Sequence, residues 1–314
     1  MSNYSTISID CQVLNDVSSS GRVRPWALYK TTSNFLADLY HFVNPRKEER
    51  ILNCSTFLKF CRNEKGGLTL TDANFCRVRL CPTCMWRRSL KTYSHVRSIV
   101  DSLGSSCSYI LLTLTIPNCP DTGSDLKKSI DDLVIGFNRL MKYKKISLAV
   151  KGYYRALEVT HNLEKRTFHP HIHTLLAVNP SYFTSRYYIS QSEFLRLWNK
   201  ALGRNDITQL DVRKIRGSAD SACAEIAKYT VKASDIIYFD DWDLSADVLR
   251  ALDFALDHRR FIGYGGIFAD MHRKLHLDDE EDGDLVGAVG ADDVQDEALV
   301  YAWHTGYCQY IRRS

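Results

Sequence analysis

The run Phe168-His169-Pro170-His171-Ile172-His173-Thr174 gathers three imidazoles within five positions. Alternate residues of a strand share a face, so His171 and His173 project together about 6.8 Å apart along the backbone, close enough to converge on one cation. For His-x-His alone, a polar sheet surface with hydrogen-bonded histidines competes evenly with that reading. Glu158 lies on the preceding strand, and a turn centred near Glu164 sets it opposite His171, give or take one residue of register. It is the preferred third ligand, against a plain surface carboxylate, with His161 and His169 in reserve. Two imidazoles and one carboxylate, with positions left for phosphate oxygens, suit Mg²⁺ or Mn²⁺ acting as a Lewis acid on a phosphodiester.

Glu225, Tyr229, Lys232 and Asp235 stand at i, i+4, i+7 and i+10, near one stripe of a helix that can lie over the histidine-bearing sheet. With seventeen tyrosines in the chain, a helical Glu and Tyr pair is ordinary by itself. A tyrosine hydroxyl, with an unperturbed pKa near 10, needs a polarised phosphate to attack phosphorus, and a neighbouring cation supplies that. Attack by Tyr229 would leave a free 3′-hydroxyl and a 5′-phosphotyrosine. Lys232 would neutralise phosphate charge, and Glu225 could act as general base toward a second nucleophile such as water.

Five of the ten cysteines fall between Cys54 and Cys84. Cys81-Pro82-Thr83-Cys84 is a knuckle, and Cys76 with either Cys54 or Cys61 would complete four thiolates around a structural Zn²⁺. Trp86, Leu90, Tyr93, Val96 and Val100 recur at helical spacing after it, with basic residues on the remaining positions. Arg77, Arg79, Arg87, Arg88 and Lys91 are expected to face DNA phosphate.

The elements that must position these groups follow from periodicity. Tyr109 to Ile116 reads as a buried strand, and Ser124 caps a helix with apolar positions from Leu126 to Met141. Tyr153 to Thr160 and His171 to Val178 read as a hairpin; Ser190 opens a helix ended by Gly203. A strand over Ile207 to Ile215 and a helix over Ser218 to Ser234 complete the order. Strand, helix, strand, strand, helix, strand is the split βαβ or ferredoxin-like arrangement, an α+β fold with an antiparallel sheet covered by helices. A further helix is expected near Ala246 to Leu256, a glycine-rich turn at Gly263 to Gly266, and a disordered or regulatory acidic stretch from Asp278 to Glu297. The expected divisions are an N-terminal segment 1–47, a cysteine-rich zinc module 48–105, a nicking domain 106–240 and a C-terminal extension 241–314.

No apolar run is long enough to span a bilayer, and the polar opening Met1 to Asp10 has no form of a secretory signal, so a soluble, cytoplasmic protein without a membrane partner is expected. A reducing compartment favours metal over disulfides for the clustered thiols. The net charge of +4 conceals an asymmetry, since 275–314 holds ten acidic residues against two arginines. The remaining body is strongly basic, which points weakly to a polyanionic partner such as nucleic acid.

Taken in order, Phe75-Cys76-Arg77-Val78-Arg79-Leu80-Cys81-Pro82-Thr83-Cys84 with Trp86-Arg87-Arg88, then Leu112-Thr113-Leu114-Thr115, His171-Ile172-His173, and the helix from Glu225 through Tyr229 to Lys232 resemble the rolling-circle replication initiators of small bacterial plasmids, within the HUH endonuclease superfamily. Gly265-Gly266-Ile267-Phe268 and Asp282-Gly283-Asp284-Leu285 extend the likeness, which runs from about Cys54 to Leu285. The resemblance implies an HUH endonuclease fold and a single-tyrosine initiator that nicks plasmid origin DNA, recruits a host helicase and replication machinery, and ends the round by hydrolysis. It further implies Glu225 as the termination carboxylate and Cys54 as the fourth zinc ligand. The competing functions are another HUH nuclease, a transposase or relaxase, and a non-catalytic zinc-ribbon DNA-binding regulator.

Overall fold

The computed structural model describes residues 13–18, 20–63, 66–215, 223, 231–287 and 294–313. Two compact α+β units emerge, Met1–Arg88 with Asp284–Ser314, and Ser89–Gly283. All strand pairings in both are antiparallel.

In the first unit, α1 (Trp26–Val43) buries Trp26, Leu36, Leu39 and Tyr40, in a region whose sequence gave little indication of an element. Asn44 then caps α2 (Pro45–Leu52), its side chain accepting from the Lys47 N–H while Pro45 supplies the fixed φ of a first helical turn. A four-stranded sheet runs β10 (Gln309–Arg312), β9 (Val294–His304), β1 (Phe57–Asn63), β2 (Leu68–Ala73). The chain's last strands therefore complete a sheet begun by its first.

In the second unit the sheet order is β7 (Asp211–Lys214), β3 (Ser108–Thr115), β6 (Thr167–Val178), β5 (Val150–Asn162), β8 (Ile262–Gly266), with the short β4 (Cys119–Pro120) on the far end of β6. On one face lie α4 (Gly123–Lys142), which packs on β6 and is followed by the short α5 (Lys144–Ala149), and α6 (Gln191–Leu202). Leu126, Ile130, Leu133, Phe137 and Leu140 recur along α4 with the helical period, and each buried side chain contributes about 1.5–3 kcal/mol. Trp198 of α6 donates its indole N–H to the Thr115 carbonyl at 2.7 Å, which ties α6 to the end of β3. Ser190 and Gly203 cap α6 as its sequence indicates, while α4 is capped by Thr122 rather than Ser124.

The other face carries a second core. Val96, Ile99, Val100 and Leu103 from α3 (Pro82–Leu103) pack with Tyr109, Tyr154, Leu175, Ala177, Cys223 and Phe268. The boundary between the two units falls within α3.

Several expectations need correction. Gly263 to Gly266 is not a turn but part of β8, pairing with β5. Its glycines serve close approach: a Cβ on Gly265 would sit 2.3 Å from the Tyr153 ring, and Gly266 has a φ of +56° that favours glycine. The helix before it, α7 (Trp242–Leu256), starts a turn earlier than Ala246 because Asp241 accepts from the Leu244 N–H. A further helix, α8 (Ile267–Lys274), follows β8 directly.

Nor is Asp278 to Asp282 a free acidic stretch. Glu281 is buried, accepting from the backbone N–H groups of Phe261 at 2.7 Å and Ile262 at 3.1 Å where β8 begins. Past it, Val294–His304 is strand β9. The helix expected over Ser218 to Ser234 lies mostly outside the described residues; Cys223 within it is helical and buried. Lys232 lies in extended conformation before a short 3₁₀ turn, Ala233–Asp235, so the helical stripe does not continue through Lys232 and Asp235.

Candidate active site

The β5–β6 hairpin sets Glu158 directly opposite His171, without the one-residue slip that its loop permitted, and the β3–β6 pairing sets Thr113 opposite His173. With period-2 alternation, His171, His173 and Glu158 then share a face. A single carboxylate oxygen, Glu158 Oε2, lies 3.2 Å from His171 Nε2 and 2.8 Å from His173 Nε2. The second ring nitrogens are both engaged: His171 Nδ1 meets the His169 carbonyl at 3.2 Å, and His173 Nδ1 the Thr113 hydroxyl at 3.1 Å.

These outer contacts matter for what the cluster can hold. With a cation bound and Nδ1–H donated outward, each imidazole would present an Nε2 lone pair inward, beside a carboxylate. Burial alone would raise the Glu158 carboxyl, but hydrogen bonds and charge from His171 and His173 overcome it and hold the group well below the usual carboxylate range. Two neutral nitrogens and one anionic oxygen within reach of each other fit a divalent cation.

Neither reserve histidine joins this trio, although the His169 ring lies 5.3 Å from that of His171. His169 meets Asn118 at 2.8 Å, and burial, with the neighbouring His171 charge, lowers its pKa. His161 Nδ1 lies 2.6 Å from the Tyr238 hydroxyl, which burial and the charge of Asp235 push up to about 12. Beside His173 opens a cavity of about 210 Å³ lined by Leu111, Thr113, Thr174, Asp211 and Arg213.

Tyr229 and Glu225 lie outside the described residues. Cys223, six and two positions before them, is fully buried in one core with Leu175 and Ala177, next along β6 from His173 on the histidine face.

The second expected constellation is also assembled. Cys54, Cys76, Cys81 and Cys84 converge, with sulfur separations of 3.6 Å for Cys54–Cys84, 3.7 Å for Cys76–Cys84 and 3.7 Å for Cys54–Cys81. A tetrahedral zinc with Zn–S near 2.3 Å requires edges of about 3.8 Å, so the thiols fit that ion. Cys61 is elsewhere, its thiol against Thr71 on β2. Arg77 takes a φ of +58°, and its N–H reaches Cys84 Sγ at 3.3 Å, while the Cys76 N–H reaches Cys54 Sγ. Burial would raise the Cys81 thiol, yet hydrogen bonds from Cys54, Cys76 and Cys84 carry it well below its ordinary value. Lys30, fully buried nearby, donates to the Leu52 carbonyl and sets a cation beside the thiols.

The five basic residues expected to face DNA divide. Arg77 is exposed, and Arg79 and Arg88 are half-buried. Arg87 and Lys91 are corrected: they are 3% and 2% exposed, on the inward side of α3. Arg87 donates to the carbonyls of Leu285 and Val286 at 3.0 Å and stacks near Trp26, and burial lowers its pKa to about 10. Lys91 pairs with Asp278 and donates to the Asp279 carbonyl. Both charges hold the fold together, because positions a helical turn apart share a face with the buried Cys84 and Cys81 side of the helix.

Sequence reasoning passed over Thr113 as a partner of His173, although the Leu112-Thr113-Leu114-Thr115 alternation could have shown a hydroxyl on the histidine face. It also passed over a third group, His95, His272 and Glu280, whose members come from three separated segments.

A family model described as replication protein matches residues 67–311. "Protein rep" of Bacillus amyloliquefaciens is 37% identical across 96% of this chain and 98% of its own length. Proteins of the same name from a Bacillus species and from Streptococcus pneumoniae are 40% and 35% identical, over 77% and 88% of this chain and 84% and 87% of their own lengths. No solved structure matches the chain. Among the described residues, no helix is long and apolar enough to cross a membrane. On these likenesses, which span most of its length, the chain belongs to the replication protein family.

Proposed function

We propose that the chain initiates rolling-circle replication of a plasmid, as a site-specific HUH nickase whose catalytic sheet is ferredoxin-like. The observation that carries this reading is the meeting of His171 Nε2, His173 Nε2 and Glu158 Oε2 on one face of a six-stranded sheet. The sheet order, with β8 added at its edge, suits the ferredoxin-like assignment.

Mg²⁺ or Mn²⁺ held by those three residues would polarise the scissile phosphate of origin DNA. Tyr229 supplies the nucleophile: its oxygen forms the new bond to phosphorus, the 3′-oxygen leaves and takes up a proton, and the 5′ end remains attached as phosphotyrosine. Cys223, six positions before Tyr229 in the sequence, is buried in the core on the histidine face, which supports Tyr229 as the nucleophile. Lys232 offsets phosphate charge near Tyr229. Glu225 serves as base for the water that ends the round, and a host helicase and replication machinery are recruited to the opened strand. Zinc on Cys54, Cys76, Cys81 and Cys84 is structural, and Arg77, Arg79 and Arg88 are the remaining candidates for phosphate contact.

The test is nicking of supercoiled plasmid carrying the origin, with Mn²⁺ and with His171→Ala. Relaxed circles from the wild type and none from the variant are expected; equal cutting by both would sink the reading. Thr113→Val should retain the fold but loosen the His173 ring, weakening Mn²⁺ binding about 10–100-fold in a metal titration. Unchanged affinity would remove Thr113 as an orienting group.

A further inference from the structure

Separate from the two clusters described above, three potential ligands meet within the second unit. His95 comes from α3, His272 from α8, and Glu280 from the turn that follows. Their ligand atoms all lie within 4.8 Å of one another. His95 Nδ1 and His272 Nε2 approach the same Glu280 oxygen, at 2.8 and 3.3 Å, and the imidazole rings stand 5.8 Å apart, tilted by 74°. The Glu280 side chain is 2% exposed.

We propose that His95, His272 and Glu280 form a second protein-bound zinc site, one that clasps α3, α8 and the acidic turn together. Donors bound to Zn²⁺ at 2.0–2.1 Å sit about 3.3 Å apart, within a few tenths of the observed separations. Three protein donors leave one tetrahedral position open.

The surroundings match what a ligating imidazole requires. His95 Nε2, the nitrogen pointing away from the trio, faces Asp278 Oδ1 at 3.6 Å, and Asp278 is held by Lys91. With Nδ1 bound to a cation, the proton of His95 must sit on Nε2, where a carboxylate can receive it. The Tyr264 hydroxyl donates to Glu280 in the same supporting manner. Without a cation, a neutral His95 that donates from Nδ1 to Glu280 would turn its Nε2 lone pair toward the Asp278 carboxylate. Only a doubly protonated ring then suits both carboxylates.

Charge points the same way. With neutral imidazoles, Glu280 and Asp278 outweigh Lys91 by one negative charge in a partly enclosed site. Of these carboxylates Asp278 is half-exposed but Glu280 is buried, and a buried charge is expensive unless compensated, which a divalent ion does.

The test is the zinc content of the full chain, purified without a metal-binding tag, in a His171→Ala background so that the first histidine cluster adds no signal. His272→Asn and Glu280→Gln, which keep shape and hydrogen bonding, should each carry one zinc equivalent fewer than the background protein and retain the tetrathiolate zinc. Identical zinc content in all three would overturn the site and leave an imidazolium–carboxylate hub. If the variants fail to fold, the background protein loaded with Co²⁺ decides. Visible absorption of a nitrogen- and oxygen-ligated ion beside the tetrathiolate spectrum upholds the site, and the tetrathiolate spectrum alone overturns it.

Discussion

Tyr229→Phe should bind labelled origin oligonucleotide as the wild type does, yet neither cut it nor become attached to it. The change removes one oxygen and keeps the ring, so contacts that position the DNA backbone persist while the nucleophile is gone. The loss in cleavage should be about 10⁴-fold or more, the scale seen when a covalent nucleophile is deleted. Denaturing gels read it directly, since the adduct migrates with the protein. An adduct that survives would shift the role to Tyr238. That residue is a poor substitute, because its hydroxyl is already committed to His161 and its pKa is pushed up to about 12.

Cys81→Ser carries the second large effect. Serine cannot supply a thiolate at neutral pH, and Cys81 is fully buried among the other three sulfurs. Structural zinc in small modules contributes apparent free energies of about 10–16 kcal/mol, more than the whole stability of most domains. The variant should lose its tetrathiolate zinc by elemental analysis, and calorimetry should show the transition of the first unit lost while that of the second remains. A folded variant with undiminished zinc would end the assignment of those four cysteines.

Legibility followed sequence distance. The β5–β6 hairpin could be registered from a short connection centred near Glu164, and so Glu158, His171 and His173 could be grouped from the sequence alone. Cys76, Cys81 and Cys84 were legible for the same reason, since short spacing constrains geometry. The fourth thiol stayed open between Cys54 and Cys61, because β1 and β2 had to be known before one could be placed at the cluster and the other against Thr71.

Charge misled where it was amphipathic. Arg87 and Lys91 were taken as outward because they are basic, but both partners lie about two hundred residues on, beyond any local pattern. The acidic run from Asp278 was misread for the complementary reason: Glu280 and Glu281 answer buried donors that no window of sequence contains. Glycines at Gly265 and Gly266 resembled a turn, and only the neighbouring Tyr153 ring and Lys151 carbonyl explain why a strand needs them.

The pairing of β1 with β9 places Phe57 against Ala302 and Phe60 against Leu299. During synthesis β1 and β2 therefore cannot complete their sheet until the long intervening chain has emerged and β9 arrives. Contacts so remote in sequence are slow to form. Until then β1 and β2 form a two-stranded ribbon with an open edge, the kind of edge that recruits a foreign strand. A product that stops short of β9 would keep that edge permanently and be prone to aggregate.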